Sequence, residues 1–128
     1  MLNALRQMLA PKEEVPAVPT ADGKVTLADV LANGWMELWY QPKIELRTNR
    51  LYGAEALVRA RHPQRGVLPP GVFLPGASEA DMLSLTEAVI VTALHDWRDF
   101  AANGMSLKLA VNTPVSALVN LPITDMVR

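Results

Sequence analysis

Cysteine is absent from the 128 residues, which excludes disulfides and thiolate metal sites. That usage agrees with a reducing cytosol, and a cytoplasmic location is expected. No uncharged run reaches the ~18 residues needed to cross a bilayer. Met1 to Ala10 does not read as a signal peptide, because Arg6 interrupts its apolar residues and Lys12, Glu13 and Glu14 follow. An excess of one charge is also missing. Twelve Lys and Arg stand against thirteen Asp and Glu, a formal net charge of -1, and no basic tract is long enough to line a nucleic-acid groove. Arg59, Arg61, His62 and Arg65 come nearest; they suit a phosphate, not a duplex. Repeats, low-complexity tracts, a Ser/His/Asp arrangement and a phosphate-loop pattern around Gly66 and Gly71 are likewise absent. His62 and His95 lack the spacing of a shared metal site.

Half of the residues are hydrophobic and a fifth charged, the composition of a globular domain with a core. Leu2, Leu5, Met8 and Leu9 recur at helical spacing up to Pro11, giving a short helix that either frays or ends a signalling helix from upstream. Lys12 to Lys24 reads as a linker, with Pro16, Pro19 and Asp22-Gly23. The expected division is 1–25 as helix and linker and 26–128 as the folded part. Thr26 caps a first helix that Asn33-Gly34 closes. Glu37 to Gln41 predicts a strand stopped by Pro42, Thr48-Asn49 a turn, and Leu51 to Arg59 a second strand. His62 to Gly76 predicts a long Pro-rich loop. A helix follows, with Ser84 and Glu87 as a capping box, Ile90, Ala93, Leu94, Trp97 and Ala101 on its core face, and Asn103-Gly104 as its stop. Leu107 to Asn112 predicts a third strand, and Thr113-Pro114 a new helix start with Thr as cap. Strand, strand, helix, strand, helix is an α/β order with a crossover into a parallel strand. Trp97 is expected in the core, and Trp35 and Trp39 in the core or at an interface.

Along the second strand Gly53, Glu55, Leu57 and Arg59 alternate onto one face. Glu55 and Arg59 are then ~13 Å apart, too far for a salt bridge but suited to two contacts on one large anionic ligand. Glu55 sits among Gly53, Ala54, Ala56, Leu57 and Val58, where a carboxylate is costly unless it is paired or metal-bound. A partly exposed edge-strand glutamate, or one paired with a lysine elsewhere, reads equally well. Gln41 and Asn112 each end a strand, where α/β folds collect function, although either residue alone is also an ordinary turn or cap residue.

These residues resemble a known family. Trp39-Tyr40-Gln41-Pro42-Lys43, Gly53-Ala54-Glu55-Ala56-Leu57-Val58-Arg59, Arg61-His62-Pro63 with Gly66, Pro70, Phe73-Leu74-Pro75 and Val111-Asn112 follow in the order and spacing of the opening of EAL domains, from about Leu31 onward. The resemblance implies an α/β fold, the N-terminal portion of a modified (β/α)8 TIM-like barrel whose first strand is antiparallel to the rest. It implies hydrolysis of cyclic di-GMP to pGpG with Mg²⁺ or Mn²⁺. By position, Glu55 would be a catalytic metal ligand and Asn112 a further one. Arg59 would hold a phosphate, and Gln41 and the Leu57 backbone region would touch the dinucleotide. Oxygen donors suit those cations, and Arg suits bidentate phosphate contact. A homodimer or an upstream sensory or cyclase domain is a further expectation of the resemblance.

The sequence departs from the pattern where Ala60 replaces a usual Trp, where Ala77-Ser78 replaces an Ala-Glu pair, and where Asp81 replaces a common Gly. A whole barrel takes roughly 250 residues, and no Asp or Glu stands between Asp99 and Asp125. The expectation is therefore a partial EAL domain that supplies Glu55 and Asn112 without a closed two-metal site, is inactive alone, and has unpaired strand edges that favour association or poor solubility. The alternatives are a non-catalytic EAL module that binds cyclic di-GMP or a protein, and a plain α/β interaction domain.

Overall fold

The computed structural model describes residues 23–127. The helix expected over 1–10 and most of the linker lie outside them. Helix α1 (Leu27–Ala32) starts at Thr26, whose side chain accepts from the Asp29 amide while Asp29 accepts in return from the Thr26 amide. That reciprocal cap holds the Asp29 carboxyl below its ordinary value, chiefly through the Thr26 backbone hydrogen bond. Strands β1 (Met36–Glu45) and β2 (Arg50–His62) form an antiparallel hairpin. Asn49 at φ 54 makes its turn.

Pro42 does not end β1, which runs on to Glu45. Among the described residues β1 is an edge strand paired only with β2, and an edge tolerates proline when the missing N–H faces outward. The expected Pro-rich loop contains two further elements, β3 (Gly66–Leu68) and the helical turn α2 (Pro70–Phe73). Helix α3 spans Glu79–Ala102 and is capped by Ser78, whose oxygen accepts from the Asp81 amide at 3.1 Å. Ser84 and Glu87 lie inside it, so they are not its capping box. The earlier serine prevails because Glu79 and Asp81 then fall in the first turn, against the positive end of the helix dipole. Beyond Asn103-Gly104, with Gly104 at φ 81, come β4 (Lys108–Val111), α4 (Val115–Asn120) and α5 (Ile123–Met126). Pro114, not Thr113, occupies the cap position of α4.

The sheet is mixed, as an α/β order with a crossover requires. One edge of β2 carries β1. The other carries β4 in parallel at Gly53 to Ala56, then β3 antiparallel at Ala60 to His62. One sheet face presents Leu38, Tyr40, Ala54, Ala56 and Ala60 to α3, which answers with Leu85, Val89, Ala93 and Phe100. Phe73, Phe100, Leu27, Leu38 and Leu68 are each no more than 2% exposed, and each buried side chain of this size contributes about 1.5–3 kcal/mol. Ala60 is wholly buried between Met36 of β1 and Leu68 of β3. Trp97 departs from its expected core position. It is 44% exposed, and its indole N–H donates to the Leu107 carbonyl at 2.8 Å. That bond ties the ring to the segment just before β4, at the rim of the core.

A partly buried polar tie joins sheet to helix. The Tyr40 hydroxyl donates to Asp96 of α3, and its ring meets Phe100 edge-on at 5.5 Å. Burial, and then the Asp96 carboxylate, push the Tyr40 hydroxyl well above its ordinary value. The folded state thus keeps a proton that the unfolded chain releases, so this contribution is present below about pH 10 and fades as pH rises past it. Tyr40→Phe is expected to lower the unfolding free energy by about 1–3 kcal/mol and to flatten the alkaline loss of stability, both read by urea titration at neutral and alkaline pH.

Gly53 is required by close approach. A Cβ there would stand 2.6 Å from the Lys108 carbonyl oxygen, so β4 reaches its place on β2 only because that residue has no side chain. Gly53→Ala should cost about 1–3 kcal/mol and weaken amide-exchange protection in β4 before β1. Unchanged protection would show that the sheet absorbs the methyl group.

Candidate functional site

The sheet face turned away from α3 carries the candidate residues. The register pairs Gln41 with Glu55, Trp39 with Leu57 and Glu37 with Arg59 across β1 and β2, and directly paired residues share a face. On β4, Ala110 pairs with Glu55, so the next residue but one, Asn112, falls on that face just past the strand end. The strands therefore bring Gln41, Glu55 and Asn112 together. Asn112 Nδ2 donates to Glu55 Oε1 at 3.2 Å, joining residues 57 apart in sequence. Glu55 is partly buried, and Gln41 and Asn112 are exposed. The lysine pairing considered for Glu55 does not occur among the described residues; its recorded partner is Asn112.

The oxygen chemistry of this pair suits a hard divalent cation. Turning the Asn112 amide over places Oδ1 beside the Glu55 carboxylate, giving two neighbouring oxygen donors and an open side for water or phosphate oxygens. Among the described residues no group of three or more His, Cys, Asp and Glu side chains is placed to hold a metal ion.

Arg59 lies farther along the same strand. Its Nη1 donates to the Val58 carbonyl at 2.8 Å, and its guanidinium carbon stands 5.9 Å from the Trp39 ring centre, within cation–π range. Partial burial lowers its pKa from the ordinary value, yet an arginine remains charged. Leu57, Val58 and Arg59 border a cleft of about 430 Å³, closed by Asn112, Thr113, Pro114 and the first turns of α3 at Met82 and Thr86. The cleft opens here because β4 leaves the edge of β2 after Ala56 and β3 joins it only at Ala60.

Two features escaped the sequence reading. Trp39 is a shelf beneath Arg59, and Glu37 binds both Arg61 and the Trp39 indole. The alternation of positions 37, 39 and 41 would have placed these residues on the site face, but their partners depend on the hairpin register. Ser78 proves to be a helix cap, which gives a structural role to the position where the resemblance expects an acid.

Comparison with known proteins shows the family. The sequence model of the EAL domain matches residues 24–128. The chain belongs to the EAL domain family. The cyclic di-GMP phosphodiesterase RocR of Pseudomonas aeruginosa is 38% identical over 120 residues, covering 91% of this chain and 29% of RocR. The PaMucR phosphodiesterase in its c-di-GMP complex superposes with a TM-score of 0.69 at 32% identity, covering 80% of this chain and 42% of that one. The FimX EAL domain of Pseudomonas aeruginosa bound to c-di-GMP gives a TM-score of 0.61 at 26% identity, covering 77% and 39%. This chain thus spans less than half the length of each. No helix among the described residues is long and apolar enough to cross a membrane.

The Glu55–Asn112 pair can be tested without a nucleotide. Asn112→Asp sets a second carboxylate beside Glu55, so like charges meet unless a cation intervenes. Without divalent ions the melting temperature should fall by about 2–8 °C; added Mn²⁺ or Mg²⁺ should restore it in proportion to concentration. A melting temperature indifferent to both ions would argue against a cation position here.

Proposed function

We propose that this chain forms the opening part of a cyclic di-GMP phosphodiesterase site, on the first strands of a modified (β/α)8 barrel whose first strand is antiparallel. The observation that carries the reading is the Glu55–Asn112 contact at 3.2 Å between parallel strands, on the face that also presents Gln41. Glu55 and Asn112 would hold Mg²⁺ or Mn²⁺, which when bound activates water and stabilises charge on the phosphate. Arg59 offers a guanidinium to a phosphodiester oxygen at the cleft and neutralises its charge. Gln41, exposed at the β1 position opposite Glu55, has both an amide donor and a carbonyl acceptor for a guanine edge. Leu57, between Glu55 and Arg59, contributes an apolar wall and a backbone edge. As cyclic di-GMP is an intracellular messenger of bacteria, the reading also implies a cytoplasmic bacterial protein.

A second reading is a ligand-binding EAL module without hydrolysis. It is favoured by the sparse donor set, since no group of three or more His, Cys, Asp and Glu side chains is placed to hold a metal ion among the described residues. In both readings Glu55 and Arg59 meet the same ligand, and they differ only in turnover.

Calorimetric titration of cyclic di-GMP into the chain, with Ca²⁺ to permit binding without turnover, tests the shared part. Binding is expected, lost in Glu55→Ala and weakened at least about tenfold in Arg59→Ala, the loss of a charge-assisted pair. A folded sample that shows no heat would reject the site for this chain. Appearance of pGpG when Mn²⁺ replaces Ca²⁺ would separate the enzyme from the binding module.

A further inference from the structure

Arg59 faces a carboxylate that it does not bind. Glu37 is its direct cross-strand partner in the register, and opposite charges at paired positions ordinarily join. Here both Glu37 oxygens are taken. Arg61 Nε donates to Oε2 at 2.9 Å and Arg61 Nη2 to Oε1 at 3.0 Å, a bidentate fork, while the Trp39 indole N–H donates to Oε1 at 2.9 Å. Arg59 has no ion-pair partner among the described residues. It rests over the Trp39 ring and gives one N–H to the Val58 carbonyl.

The geometry points to Glu37, Arg61 and Trp39 as a positioning set that keeps the Arg59 guanidinium available for an anion. This inference rests on the proposed role of Arg59 in binding a phosphodiester. Arg61 draws the Glu37 carboxylate one cross-strand position away from Arg59. Glu37 in turn fixes the indole by accepting its N–H, and the fixed ring supports Arg59 through its π face without neutralising it. The fork matters because arginine matches both carboxylate oxygens at once, which a lysine cannot do. Without Arg61, the same carboxylate would close on Arg59 and compete with the phosphate.

The test is a pair of variants in the full chain, Arg61→Ala and Arg61→Ala/Glu37→Gln. NMR of the Arg59 guanidinium, without ligand, should show slowed rotation and a shifted Nε–H signal in Arg61→Ala. The wild-type signal should return in the double variant, where a neutral amide still accepts from Trp39. Calorimetry with cyclic di-GMP and Ca²⁺ should find binding weakened about 3- to 10-fold in Arg61→Ala, the range of a modest competing ion pair. The double variant should come back to within about twofold of wild type. An unchanged Arg59 signal in Arg61→Ala overturns the inference. So does a double variant as weak as the single one, since Arg61 would then touch the ligand itself. If the wild-type chain binds no cyclic di-GMP, the proposed function falls, and the NMR signal alone decides whether Arg61 keeps Glu37 off Arg59.

Discussion

The site depends on how closely two parallel strands approach. Lys108 of β4 lies against Gly53 of β2 with no room for a methyl group between them. That contact permits the register in which, two residues later, Ala110 lies beside Glu55 and Asn112 comes within hydrogen-bond reach of its carboxylate. A slip of one residue would turn Asn112 to the α3 side and put Val111 beside Glu55, because side chains alternate along a strand. Glu55 and Asn112 are therefore neighbours through backbone packing two residues before Glu55 and four before Asn112.

The sheet divides its two faces between stability and chemistry. The α3 face is apolar except for the Tyr40–Asp96 tie and the buried Thr86, whose hydroxyl donates to the Met82 carbonyl. The opposite face carries charges held in order by each other: Arg61 on Glu37, Glu37 on the Trp39 indole, the indole under Arg59, and Asn112 on Glu55. Partly exposed contacts of this kind add little to stability individually. Their effect is on orientation, since each removes rotamer freedom from a group that would meet a ligand.

Membership in the EAL family and the α/β order were legible in the residues, because the motif string from Trp39 to Asn112 is long and ordered and the apolar periods are clear. Element ends were less legible. Pro42 reads as a stop, yet an edge strand accepts it; Ser84-x-x-Glu87 reads as a cap, yet Ser78 with Glu79 and Asp81 makes a better one two turns earlier. The short β3 and the turn at Pro70 were hidden in a Pro-rich stretch because three strand residues have too little pattern to be seen without their partner Ala60–His62.

The sequence by itself determined which side chains share a face, since alternation in β2 follows from local geometry, and it determined the donor chemistry of Glu55, Asn112, Gln41 and Arg59. Only the tertiary structure decided which of them meet. Asn112 reaches Glu55, whereas Arg59 leaves Glu37 to Arg61, and both outcomes turn on strand register. Register is a long-range property, set here by the hairpin bulge after Lys43 and permitted by the space that Gly53 leaves open, and no local run of residues encodes it.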